Sequence, residues 1–231
     1  LWDHAALGNG QWGGVRLADV LTKVGVQPGA AHVAFTGLDP SPHDMPFGGS
    51  IPLEKALQPE VLLADTLNGQ PLPALHGAPL RVVVPGYVGA RSVKWLTHIK
   101  VQTTSSDNYY QAKGYKLFAP QVTRETVDWS QGQMLGPMVV NSAMTRPTEG
   151  AKLAAGPITL RGYAVAGAGA QVRHVWLSVD GGSNWQAAEN LQQPDLYGWC
   201  LWQHTLPLEP GSYHIVIRAE DSHNKTQPAG I

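Results

Sequence analysis

The stretch HGAPLRVVVPGYVGARSVKWL, His76 to Leu96, decides how the chain is read. It opens on an imidazole, passes through the β-branched triplet Val82–Val84, and is stopped by Pro85 and Gly86. Arg81, Arg91 and Lys94 set three cations around this apolar strand. Three cations and an imidazole this close together suit an anion with several phosphate or oxo groups, because charge-assisted hydrogen bonds to such groups are short and strong. Gly86 and Gly89 let backbone N–H groups approach such a ligand. A surface hairpin with solvated charges accounts for the same residues, so the segment alone leaves both readings open.

Working outward, the flanks are mixed α and β. Upstream, Gly13 and Gly14 precede VRLADVLTKVGV, where Val15, Ala18, Leu21 and Val24 recur at helical spacing. AHVAFTGL, residues 31–38, predicts a strand, and IPLEKALQ a short helix with Pro52 in its first turn. Val93, Trp95, Thr97, Ile99 and Val101 alternate, which predicts a strand running out of the central segment. Residues 121–150 are rich in Pro, Thr and Ser and read as a connector. Beyond it the pattern changes to strand-like runs separated by turns: PITLRGYAVAG, QVRHVWLSVDGGSNWQAA, GWCLWQHTLPL and GSYHIVIRAEDS. Asp180-Gly181-Gly182 inside the second run is a hairpin signal. The expected fold class is α+β: a mixed α/β domain over residues 1–120, then a β-sandwich of the immunoglobulin type over 151–231.

Composition removes several function classes. The chain has 231 residues, 43% hydrophobic and 14% charged, enough to bury a sizeable core. A formal net charge of -1 gives no reason to expect nucleic acid or a membrane surface as partner. No apolar run approaches the roughly 20 residues of a spanning helix. One cysteine, Cys200, excludes an internal disulfide, and CxxC pairs, CxxCH and GxxxxGK[ST] are all absent. Cys200 in GWCLW reads as a buried inert thiol. Trp185, Trp199 and Trp202 read as sandwich core. His43, His76 and His98 fit no zinc spacing, so no metal ligand is assigned. Asp39 in GLDPSP reads as an Asx-type turn before Pro40. Tyr115, between Lys113 and Lys116, is either an oxyanion-binding phenol or a packed core residue.

HGAPLRVVVPGYVGARSVKWL also resembles the molybdopterin-binding core of the sulfite oxidase family, which includes eukaryotic nitrate reductases. QWGGVRLADVL, FTGLDPSPHDMPFGGSIPLEKAL and VLLADTLNGQPLPALHG match the same domain in the same order. LSVDGGSNWQAA and GWCLWQHTLPL resemble the family's immunoglobulin-like dimerisation domain. The resemblance implies a molybdenum–molybdopterin cofactor lined by Asp39, His76, Arg81, Ser92, Val93 (through its backbone) and Lys94. It implies Tyr115 as the catalytic-pocket tyrosine, a small oxyanion substrate, a cytochrome-type electron acceptor and a homodimer. The implied reaction is oxidation of sulfite or a related sulfur oxyanion; nitrate reduction, sulfane oxidation, and a non-catalytic cofactor-binding and dimerisation fragment are the alternatives. The family's molybdenum-ligand cysteine falls upstream of LWDHAAL, and its last segment beyond QPAGI. The expectation is therefore a chain truncated at both ends and inactive by itself. The residues leave the compartment open, and the resemblance points to the periplasm.

Overall fold

The computed structural model describes residues 8–39, 45–167, 169–192 and 195–228. The chain forms two compact units, Gly10–Pro137 and Met138–Ile231, the second also taking Gly8 and Asn9.

The first unit starts with β1 (Trp12–Arg16), which runs straight into α1 (Leu17–Val24). Leu17 and Leu21, one turn apart, are buried, and Gly25 at φ 77° ends the helix. Helical spacing from Val15 was the expectation, but Val15 is in β1, paired with Leu63. The reason lies at Gly13 and Gly14, where the register shifts; a side chain at Gly14 would strike the Leu63 carbonyl, so only glycine lets β1 approach β4 (Leu62–Leu67). β4 also pairs with β5 (Gln70–Pro71) and β6 (Arg81–Val83), all antiparallel. A second antiparallel sheet has β2 (His32–Gly37) between β3 (Gly48–Pro52) and β7 (Leu96–Gln102). Val33, Phe35 and Gly37 of β2 face inward in alternation. α2 (Leu53–Ala56) is a single turn. A short pair, β8 (Lys116–Leu117) with β9 (Gln133–Met134), follows a π-helical turn at Tyr110–Gly114. Leu17, Leu21, Val33, Phe35, Ile51, Val61, Val82 and Val93 are buried together as the core.

Two expectations are corrected. The unit is mostly β, with one eight-residue helix and one of four among its described residues, so "mixed α/β" overstates the helix. The strand expected from Val93 begins only at Leu96, because Trp95 takes φ 47° and breaks the alternation. Val93 instead turns into the core, 0% exposed.

The second unit holds β10 (Asn141–Arg146), β11 (Gly156–Val165), β12 (Val172–Ser178), β13 (Gln186–Ala187), β14 (Glu189–Gln192), β15 (Cys200–Leu208) and β16 (Val216–Asp221). One sheet has the order β10-β11-β15-β14 and the other β13-β12-β16. Leu160, Ala164, Cys200 and Trp202 of the first sheet share a core with Val175, Leu177 and Ala219 of the second, so the two pack face to face. Gly181 and Gly182, at φ 74° and 99°, make the turn between β12 and β13. Residues 121–150 supply β9 to the first unit and β10 to the second. Of the three tryptophans expected in the core, only Trp202 is there, with its indole donating to the Tyr163 carbonyl at 3.1 Å. Trp185 is half-exposed, donating to the Gly182 carbonyl and stacked under Arg218 at 4.6 Å. Trp199 is half-exposed against Tyr163.

Candidate functional site

The cationic segment folds into a knot of backbone contacts in the first unit. A 3-10 turn at Ala74–His76 ends in Gly77, φ 105°, which a side chain could not occupy: its Cβ would lie 2.8 Å from the Lys94 Cβ. Gly77 accepts from the Trp95 N–H at 3.2 Å, and the Trp95 indole donates to Ala74 at 2.9 Å. The His76 and Lys94 stretches are thus brought side by side.

Arg81, at the start of β6, ties them together. Its Nη1 donates to the His76 carbonyl and its Nη2 to the Ser92 carbonyl, both at 3.0 Å, while the guanidinium stacks on Trp12 at 4.8 Å. Burial lowers the Arg81 pKa to about 10, which leaves it charged at neutral pH. Lys94 Nζ donates to the Leu75 carbonyl at 3.1 Å and lies over Trp95. Ser92 Oγ accepts from the Val84 N–H, and the Val93 carbonyl from the Val82 N–H. Asp39 enters from the end of β2, where Leu38 N–H donates to the Trp95 carbonyl. A Cβ added at Gly37 would lie 2.6 Å from both Asp39 Oδ1 and the Lys94 carbonyl. Asp39 Oδ1 is buried without a hydrogen-bond partner. Asp39, His76, Arg81, Ser92, Val93 and Lys94 therefore converge, although 55 residues of chain separate the first from the last. Pro40 and His43 lie outside the described residues. His98 is exposed, paired with Thr36 across β2 and β7, and its ring meets the Thr97 hydroxyl at 3.0 Å.

The donor set fits a phosphate-bearing cofactor with ring N–H groups. Arg81 and Lys94 keep N–H donors beyond those bound to carbonyls, and neither has a carboxylate partner among the described residues. The orphaned Asp39 Oδ1 is a buried acceptor awaiting a donor. No group of three or more His, Cys, Asp or Glu is placed to hold a metal among the described residues. Cys200 is buried in the sandwich core, and burial pushes its thiol pKa up, which disfavours the thiolate a metal needs.

Tyr115 stands on a second platform of the same unit. It follows the π-helical turn, accepts from the Leu135 N–H at 2.9 Å, and meets Phe47 edge-on at 6.3 Å. Arg91, treated from sequence as one more basic residue of the motif, is 2% exposed and donates to the Leu135 carbonyl at 2.5 Å. Burial pulls its pKa down, and Tyr115 acts against that shift. Gln111 is buried as well, its Oε1 accepting from Ser50. No local sequence signal separates Arg91 from the solvated arginines; its burial depends on Leu135, 44 residues away.

A β-rich unit that carries this cationic cluster is thus followed in the chain by a two-sheet β-sandwich. Two family models match: "Oxidoreductase molybdopterin binding domain" over residues 1–110 and "Mo-co oxidoreductase dimerisation domain" over 133–231. "Sulfite oxidase, mitochondrial" of Homo sapiens is 43% identical over 98% of this chain and 44% of its own length. "Sulfite oxidase" of Arabidopsis thaliana is 37% identical over 100% of this chain and 64% of its own. The solved sulfane dehydrogenase SoxCD of Paracoccus pantotrophus superposes with a TM-score of 0.80 at 27% identity, covering 93% of this chain and 52% of that one. The chain belongs to the sulfite oxidase family of molybdopterin oxidoreductases. It spans less than half the length of the human relative.

Proposed function

We propose that the protein containing this chain oxidises sulfite, or a closely related small sulfur oxyanion, to its oxygenated product by oxygen-atom transfer. The observation that carries the reading is the Arg81–Lys94 cluster together with the unpaired, buried Asp39 oxygen beside the Lys94 backbone. A molybdenum–molybdopterin cofactor supplies the two-electron oxygen-atom transfer when bound. Arg81 and Lys94 hold its phosphate, with His76 and Ser92 at the edge of the same site. Asp39 accepts from a pterin N–H, and Val93 contributes its backbone. Tyr115 closes the substrate pocket, where its hydroxyl donates to the oxyanion. Sulfite and water give sulfate, two protons and two electrons; the electrons leave singly to a cytochrome-type acceptor. The sandwich, of the immunoglobulin kind, joins two copies into a homodimer.

The test is sulfite-dependent reduction of cytochrome c by the complete protein, with molybdenum per chain measured beside it. Turnover that scales with molybdenum supports the reading. A molybdenum-loaded protein that reduces nitrate or oxidises sulfane sulfur, and leaves sulfite untouched, overturns it.

A further inference from the structure

Arg91 is the one charged side chain of the first unit, among the described residues, that is enclosed almost completely. No carboxylate pairs with it among those residues. Its Nη2 is spent on the Leu135 carbonyl, while Nη1 is buried with no partner. Gln111 Oε1, which lies against the same stretch of β3 as Nη1, accepts from the Ser50 N–H and hydroxyl. β3 packs directly against both, since a Cβ on Gly49 would sit 3.2 Å from Nη1 and 3.3 Å from Gln111 Oε1.

A clamp on one carbonyl requires only a neutral donor. Burying a full charge for it, with an N–H unsatisfied, is unfavourable unless the charge has another use. The clamp itself leads to Tyr115: Arg91 holds the Leu135 carbonyl, and the Leu135 N–H holds the Tyr115 carbonyl. The same loop is tied down again by the Val88 N–H on Gly136 and by the pairing of Tyr87 with Pro137. The guanidinium is therefore tied to the Tyr115 backbone through Leu135, with one of its buried nitrogens left without a partner. We propose that Arg91 is a positioning residue of the Tyr115 pocket: it fixes the phenol through Leu135, and its unpaired charge makes the pocket select anions.

This rests on the oxyanion reading of Tyr115, and the experiment separates the two. Sulfate is titrated calorimetrically into the complete, cofactor-loaded protein, with steady-state sulfite kinetics, circular dichroism and molybdenum content in parallel. Arg91→Gln is expected to weaken sulfate about tenfold or more and to raise the sulfite KM by a similar factor, with molybdenum per chain unchanged. Arg91→Lys keeps the charge but not the planar fork, so sulfate affinity stays within about fivefold of wild type while kcat falls by more than KM rises. A folded Arg91→Gln that binds sulfate like wild type overturns the inference. If Arg91→Gln fails to fold, Arg91→Lys decides, and a loss of sulfate affinity beyond about fivefold overturns it. A wild-type protein that binds no sulfate overturns the oxyanion reading itself, and the inference with it.

Discussion

Replacing Arg81 by alanine probes the architecture of the site apart from its chemistry. The guanidinium makes two 3.0 Å hydrogen bonds, to the carbonyls of His76 and Ser92, and lies 4.8 Å over the Trp12 ring. A hydrogen bond from a charged donor contributes about 1.5–3 kcal/mol. His76 is exposed, so its carbonyl regains water, whereas Ser92 is half-buried and its carbonyl loses a partner outright. The stacking on Trp12 adds about 0.5–1 kcal/mol. The sum is a loss of about 2–4 kcal/mol of stability. For a unit of this size that is a fall in Tm of roughly 8–15 °C. Thermal circular dichroism of cofactor-free Arg81→Ala measures it. Arg81→Lys keeps a cation but reaches one carbonyl, so its Tm lies between. Molybdenum per chain is measured separately, because a cofactor effect adds to this loss. A cofactor-free Arg81→Ala whose Tm falls by less than about 3 °C refutes the bridging role assigned to the two hydrogen bonds.

Further outcomes follow from the sandwich. Gly162→Ala places a methyl against the Ala143 carbonyl and the Trp202 ring, so chemical denaturation should show a loss of about 2 kcal/mol or more; an unchanged midpoint contradicts the packing. Cys200 is 0% exposed and its thiol pKa is raised by burial, so a thiol-reactive dye at neutral pH should label it only after unfolding; fast labelling of native protein contradicts the burial. Asp180 accepts from Ser178 Oγ and from Ser183 and Asn184, and these bonds hold its carboxyl well below the usual carboxylate range. A depressed folded pKa stabilises above the unfolded value of about 3.9 and loses that stabilisation as pH falls toward the folded one. Wild type should therefore melt above Asp180→Asn at neutral pH, and the gap should close below about pH 4; a gap that grows on acidification refutes the assignment.

How much of this was legible in the sequence depends on how far apart the partners lie along the chain. His76 to Lys94 is nearly continuous, so one glance gathers the cations, and the turn at Gly77 brings them together. Asp39 was readable only through the resemblance, because its place beside Lys94 is set by β2 pairing with β7 some 60 residues downstream. β1 was missed because Trp12-Gly13-Gly14 has no alternation; it exists because glycine tolerates the bulge against β4. Trp95 looked like a strand residue, yet its indole is claimed by Ala74, and that contact turns the backbone out of register. Arg91 shows the limit most clearly. In the sequence it is another basic residue three positions from Lys94, but one cation ends half-exposed on the Leu75 carbonyl and the other is buried on the Leu135 carbonyl. The difference comes from Leu135 and from β3, segments more than 35 residues away in opposite directions. A local motif can thus gather several cations, while which of them stays accessible and which is buried is decided by long-range packing.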